Sequence, residues 1–316
     1  MDKSKTNGSW KSGIKDIAPV IGMVLVVVFF EILTHGKLLT TKNLVVLTNQ
    51  IFYVLLISLG AIFVYAHGNM DISIGGMMGV GMLLGTLTVQ KTVNIWLGLL
   101  VILIFCTAVG VLNGFLQDNF RQLPFLPSLC MMFIFQGILT YAGNIQTFKI
   151  DNGYAVYDST VLKVIVLIAG IACSFYLFNY TKIGKFNKAI GGNPVAAEQL
   201  GVNLTKYRVI AFTLTGFFTG LAAFFSMVRT RAVTASAGSG MEFEVMTALI
   251  YGGMSLAGGA KSKFQAAVCG SIIITVLGNG LTMSGFSAGM VALIKAIIFM
   301  ILVVISTDRT KGALPR

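Results

Sequence analysis

Leu44-Val45-Val46-Leu47-Thr48-Asn49-Gln50-Ile51-Phe52-Tyr53-Val54-Leu55-Leu56-Ile57-Ser58-Leu59-Gly60-Ala61-Ile62-Phe63-Val64-Tyr65-Ala66 runs for 23 residues without a charged side chain. A helix needs about 20 apolar residues to cross the hydrocarbon core of a bilayer, and backbone in lipid must satisfy its own hydrogen bonds, so this stretch reads as a transmembrane helix. Outward from it, cuts at charged residues and at Gly, Pro and Asn clusters give about ten such runs. They cover residues 17–34, 44–66, 72–89, 95–117, 123–141, 161–179, 207–228, 241–258, 264–283 and 286–306. The runs are continuously apolar rather than alternating, which argues against a membrane barrel.

Composition agrees. Apolar residues make up 56% and charged residues 11% of the 316, with a mean hydropathy of +0.86. A soluble domain has about 45–50% and about 25%. The net charge of +12 comes from Lys and Arg between the runs, with no basic stripe interleaved with aromatics, so the reading is the anionic face of a membrane lipid bilayer and no nucleic acid. With both termini in the cytosol, inner loops hold about fifteen of the basic residues and outer loops about seven, the positive-inside bias. Arg229 and Arg231 fall on the outer side against that trend. The expected fold is therefore an all-α polytopic membrane protein with about ten spans. Its parts are a cytosolic segment 1–16, a membrane domain 17–306 with a cytosolic loop 181–206, and a cytosolic tail 307–316.

Four cysteines, Cys106, Cys130, Cys173 and Cys269, lie inside apolar runs without a C-x-x-C pair and read as small buried hydrophobes. G-x-x-x-G spacings at Gly75/Gly79, Gly81/Gly85, Gly110/Gly114 and Gly216/Gly220 predict close helix packing. His35 and His67 lie in loops with no second ligand at metal spacing, so no metal site is expected, and no convergent catalytic set is present, so the chain is not read as an enzyme.

Four features carry functional information. Gly68-Asn69-Met70-Asp71-Ile72-Ser73 interrupts the apolar pattern and places Asp71 to cap the next helix; a broken helix can line a solute path. In the long inner loop, Asn193 at a cap, Pro194 at the first helical position and Gly201 past the end mark a helix of about two turns. So short a helix needs something to pack on, either a cytosolic motor subunit or the chain's own helix ends. Gly253 to Gly258 has the spacing of a phosphate loop, but Gly259 stands where the lysine belongs, so this is not a nucleotide site. Lys295, inside the last run, needs a partner, and Glu242 or Glu244 is expected to supply it. Asn49, Gln50, Asn113, Gln136 and Asn279, polar groups inside spans, complete the candidate translocation path with Asp71, Glu242, Glu244 and Lys295; helix-to-helix contacts are the competing reading. Leu112-Asn113-Gly114-Phe115 echoes Gly278-Asn279-Gly280-Leu281 five spans later, as two inverted halves would, coincidence being the alternative.

At these residues the sequence resembles the ribose-type permease family of ABC importers. Gly68-Asn69-Met70-Asp71-Ile72-Ser73-Ile74-Gly75 is similar to its G-G-x-D-L-S-x-G block, and Ala189-Ile190-Gly191-Gly192-Asn193 through Ala196-Ala197 to Gly201 to its cytosolic loop. Gly240-Met241-Glu242-Phe243-Glu244, Gly252-Gly253-Met254-Ser255-Leu256-Ala257-Gly258-Gly259 and Ile294-Lys295-Ala296 match three later elements in order. Asn69 replaces a Gly, Glu244 stands where Asp is frequent, and Ala260-Lys261 replaces a shorter turn. The resemblance implies a multi-pass permease of the bacterial inner membrane that imports a simple sugar or sugar-like solute. It implies a second permease beside it, a cytosolic ABC ATPase pair and an external solute-binding protein. Gly191, Asn193, Pro194, Ala196, Ala197, Glu198 and Gly201 would then form the ATPase-coupling element, with ATP and Mg bound on the partner ATPases and no cofactor on this chain. The rival reading is an ion-coupled secondary carrier acting without an ATPase.

Overall fold

The computed structural model describes the backbone of residues 4–119 and 125–306 and the side chains of 17–118 and 125–304. The expected tail 307–316 and the first three residues lie outside the described residues. Ten helices correspond to the ten apolar runs: α1 (Ser4–Leu33), α2 (Thr41–Ala66), α3 (Ile74–Thr92), α4 (Ile95–Asn119), α5 (Leu126–Ile145), α6 (Thr160–Tyr180), α9 (Leu204–Thr230), α10 (Met241–Tyr251), α11 (Gln265–Met283) and α12 (Ala288–Ser306). Two short helices, α7 (Lys182–Gly192) and α8 (Pro194–Gln199), occupy the loop between α6 and α9. The chain is thus a polytopic all-α protein. Among the described residues, α2, α4, α5, α6, α9 and α11 are long and apolar enough to cross a membrane, while the apolar parts of α1 and α12 are shorter.

The eighth run departs from expectation. Residues 241–258 were expected as one span, but α10 stops at Tyr251 and the chain turns through Gly252 and Gly253. Gly253, Gly258 and Gly259 all have positive φ, a region closed to most residues, so the apolar composition of this stretch belongs to a packed turn instead of a helix.

α2 and α9 form the centre, buried along most of their lengths and antiparallel to each other. Tyr53 donates to the Phe225 carbonyl, while a Cβ at Gly60 would meet Leu214 and Thr215. Two of the four glycine spacings read as packing signals meet in one interface. Gly110 and Gly114 of α4 lie on the α9 backbone at Phe212 and Val209, and Gly216 and Gly220 of α9 lie on α4 at Cys106 and Leu103. Around this centre the packing has an internal symmetry. Exchanging α2 with α9, α3 with α10, α4 with α11 and α5 with α12 turns every substantial helix pair among these eight into another such pair: α4·α9 becomes α11·α2, α3·α9 becomes α10·α2, and α3·α5 becomes α10·α12. Asn113 and Asn279, the residues of the sequence echo, sit on the exchanged pair α4 and α11.

All four cysteines are free, and two differ from expectation: Cys130 on α5 and Cys173 on α6 are exposed, on outward faces of helices that bury little of their surface in this chain.

Candidate functional site

The chain leaves α2 at His67 and enters α3 only at Ile74, and three elements hold the extended link between them. Asp71 does not cap the first amides of α3 as its position suggested, because Ser73 is the N-cap and makes no side-chain cap bond. Asp71 instead fixes the turn before the helix: Oδ1 accepts from the Ser73 amide at 3.0 Å and from the Ser73 hydroxyl at 2.7 Å. Asn113 of α4 donates to the same hydroxyl at 2.7 Å, so Ser73 joins two of the candidate residues. One turn on, Gln117 accepts from Asn69 at 3.1 Å and donates to the Met70 carbonyl at 3.2 Å. Asp118 then binds Arg208 at 2.7 Å and accepts from Thr205, closing α4 onto the start of α9. The last two turns of α4 are therefore a polar clamp on the broken helix. Such a clamp suits buried backbone, whose freed polar groups need partners.

His67 is not in an open loop. It is buried at the end of α2 with Nδ1 3.1 Å from Asn187 Oδ1 of α7. Burial, with the Arg208 charge adding to it, pushes the imidazole pKa down to about 3, so the ring is neutral near pH 7 and works as a hydrogen-bonding group.

The short helix expected after Asn193 is present. The Asn193 side chain accepts from the Ala196 amide at 3.1 Å, Pro194 occupies the first position, and Gly201 follows with φ +82°. Only one face of α8 packs on the chain: Ala197 joins Ile190 and Val202 over Phe186, Leu204 and Tyr207. On the other side Val195 and Leu200 are 57% and 85% exposed. Between α8, the end of α4 and the start of α9 lies an open cleft of about 600 Å³ lined by Asn69, Gln117, Asp118, Glu198 and Arg208. The base of this protrusion is keyed into the molecule at Gly191, where a Cβ would come within 2.2 Å of the Ala66 carbonyl oxygen and 2.5 Å of the Gly259 amide. α7 thus touches the broken helix and the glycine turn after α10 at one point. Asn193→Ala is expected to cost the local helix about 1 kcal/mol. Amide exchange over residues 195–199 should then speed up several-fold while the protection of α9 is unchanged.

The remaining candidates do not converge on one place. Lys295 of α12 is paired with Glu244, Nζ to Oε1 2.6 Å, so of the two expected partners the structure selects Glu244. Glu242 lines a small cavity with Gln136 and Ser239, between α3, α5 and the segment before α10. Asn279 accepts from Asn43 at 3.0 Å, and Asn49 accepts from Lys163 Nζ at 2.6 Å, so these two join helices. Gln50 is exposed on α2.

Lys163 escaped the sequence reading. Its place in the first turn of α6 made it one more outer charge, yet it is 2% exposed and ion-paired with Asp158. Arg229 and Arg231, the pair against the charge trend, are held by the same segment, residues 152–158. Arg229 faces Asp158 at 3.9 Å and Arg231 donates to Asn152 at 2.9 Å. That segment is fixed in turn by pairing of β1 (Phe148–Lys149) with β2 (Ala232–Val233).

A pseudo-symmetric helical bundle with several membrane-length helices, a broken helix at one end and a small protruding helix keyed to it defines a polytopic membrane protein. The chain belongs to the family described as branched-chain amino acid transport system / permease component, whose pattern it matches over residues 43–306. It is similar to the ribose import permease of Bacillus subtilis strain 168, 27% identical over 308 residues, or 95% of this chain and 94% of the relative. It is similar also to the ribose import permease of Escherichia coli K12, 25% identical over 280 residues (85% and 87%), and to the fructose import permease of Rhizobium meliloti, 25% identical over 309 residues (91% and 84%). No solved structure matches the chain.

Proposed function

We propose that this chain is the membrane-spanning subunit of an ABC importer for a simple sugar or sugar-like solute, working beside a second permease in a bacterial inner membrane. In this reading the ten long and half-length helices form the membrane domain as two inverted halves, with both termini in the cytosol. Cytosolic ATPases bind ATP and Mg, and an external binding protein delivers the solute. The names of the full-length relatives support the solute class. The observation that carries the mechanism is the keyed protrusion: α8 exposes Val195 and Leu200, while Gly191 at its base bears on the end of α2. Motion imposed on α8 by an ATPase would reach the broken helix through α7 without passing through a flexible linker. The coupling residues are Gly191, Asn193, Pro194, Ala196, Ala197, Glu198 and Gly201.

The carrier reading is the weaker one: of the three acids available as its motor, Asp71 is bonded to Ser73 and Glu244 is paired with Lys295, which leaves Glu242 alone.

Leu200→Cys is expected to crosslink to a cysteine placed in the facing groove of the ATPase in a complex that still imports ribose or fructose. An actively importing complex that gives no crosslink from either Leu200→Cys or Val195→Cys rejects the contact. Gradient-driven uptake by the purified chain alone would reject the ABC assignment.

A further inference from the structure

We propose that one face of α5 lines the solute passage, and that Gln136, Thr140 and Asn144, with Glu242 beside the first of them, form a wall that reads the hydroxyl groups of a neutral polyhydroxylated solute; this rests on the import function proposed above. Residues four apart on a helix share a face, so these three side chains make one polar row on an otherwise apolar helix. All three are exposed, and they line an open groove of about 620 Å³ with Phe133, Gly137 and Tyr141. Phe135 and Leu139 on the other side of α5 are buried in the core, against the glycines of α3, so the row points away from this chain's own bundle. Amides and a hydroxyl facing hydrocarbon would forfeit hydrogen bonds that water or a polar solute supplies, so this face belongs on a wet passage.

Gln136 also lines the smaller cavity that Glu242 and Ser239 border, so the groove and the cavity share a wall. Glu242 is 8% exposed; Oε1 accepts from the Gly240 amide at 3.2 Å, and Oε2 occupies space that only a glycine at 75 leaves open, since a Cβ there would come within 1.9 Å of it. The donor and acceptor set decides the solute class. Two amides and the hydroxyls of Thr140, Tyr141 and Ser239 both give and accept hydrogen bonds, a carboxylate only accepts, and the groove and cavity contain no Lys or Arg to hold an anion. The flanking rings of Phe133 and Tyr141 offer apolar faces to the C–H surface of a sugar. The rival occupant is a second copy of α5 pairing its own polar row with this one.

The test uses the complete complex in proteoliposomes, with the exposed Cys130 and Cys173 changed to Ala. Thr140→Cys and Asn144→Cys are expected to react with a charged, membrane-impermeant thiol reagent. Ile134→Cys, exposed on α5 outside the groove, should not react. Labelling should slow several-fold during turnover with ribose or fructose. In a second arm, Gln136→Leu combined with Asn144→Leu should lower the sugar moved per ATP by about tenfold while ATP hydrolysis stays within about twofold, a split that a folding defect would not give. The proposal is overturned if the two thiols are as inert as the control, if Asn144→Cys instead crosslinks two permeases, or if the double variant moves sugar as efficiently as the parent. Absence of ribose and fructose uptake by the parent complex would count against the sugar assignment alone, because labelling decides the course of the passage without any solute.

Discussion

Replacing Asp158 with leucine is expected to destabilise the protein by about 3 kcal/mol, the range found when one partner of a buried ion pair is removed. Lys163 Nζ lies in a pocket formed by Asp158, the Asn49 amide oxygen at 2.6 Å, and the rings of Phe52 and Tyr53 at 5.9 and 5.8 Å. Without the carboxylate the ammonium would keep one neutral hydrogen bond and two ring faces, too little to offset its lost hydration. Arg229 contributes little to this balance, being 40% exposed and 3.9 Å away. Lys163→Met should cost less, because Asp158 is 26% exposed and keeps water and Arg229 as neighbours. The double variant should recover most of the loss, since an apolar pair of similar volume is often as stable as a buried ion pair. Thermal unfolding in detergent would rank the three. Equal losses for Asp158→Leu and the double variant would show that the unpaired ammonium is not the source of the cost.

That lysine marks the boundary of what was legible in the sequence. Continuous apolar runs report helices reliably because lipid leaves the backbone no other way to pair, and α2, α4, α6, α9 and α11 follow from that alone. Capping chemistry is equally local, so Asn193, Pro194 and Gly201 located α8. A charge deep inside a run advertises its need for a partner, and Lys295 with Glu244 was readable on that ground. A charge at the edge of a run does not, because a loop and a buried first turn have the same composition; Lys163 therefore looked solvated. The end of α5 was hidden for a related reason. Gly143 and Asn144 are stop signals in water, and the run was closed at 141, yet the helix continues to Ile145 and carries Thr140 and Asn144 on one face. Apolar content also cannot distinguish a helix from a tightly packed turn, which is why residues 252–258 read as part of a span. The pairwise symmetry of the bundle left only a four-residue echo around Asn113 and Asn279, because packing constrains residue size and depth far more than identity.

Gly191→Ala is expected to abolish most of the solute uptake, by about tenfold or more, whereas Gly192→Ala, one residue on, should leave it nearly unchanged. The two glycines share the last turn of α7, so helix propensity favours alanine about equally at both, by up to about 1 kcal/mol. Their surroundings differ. Nothing lies within 4 Å of a Cβ at 192, while a Cβ at 191 meets the Ala66 carbonyl oxygen at 2.2 Å and the Gly259 amide at 2.5 Å. Both obstacles are backbone, so no rotamer change relieves the clash, and α7 must move away from the end of α2. Overpacking of this kind costs about 1–3 kcal/mol in a tight core. Here the displaced element is also the one that ties α8 to the broken helix, including the contact between His67 and Asn187. Uptake of ribose or fructose by the reconstituted complex, measured beside ATP hydrolysis, separates the consequences. If α7 is the mechanical link, Gly191→Ala should hydrolyse ATP with little uptake. Should both alanine variants import at the parental rate, the close approach at 191 would be packing without a mechanical role.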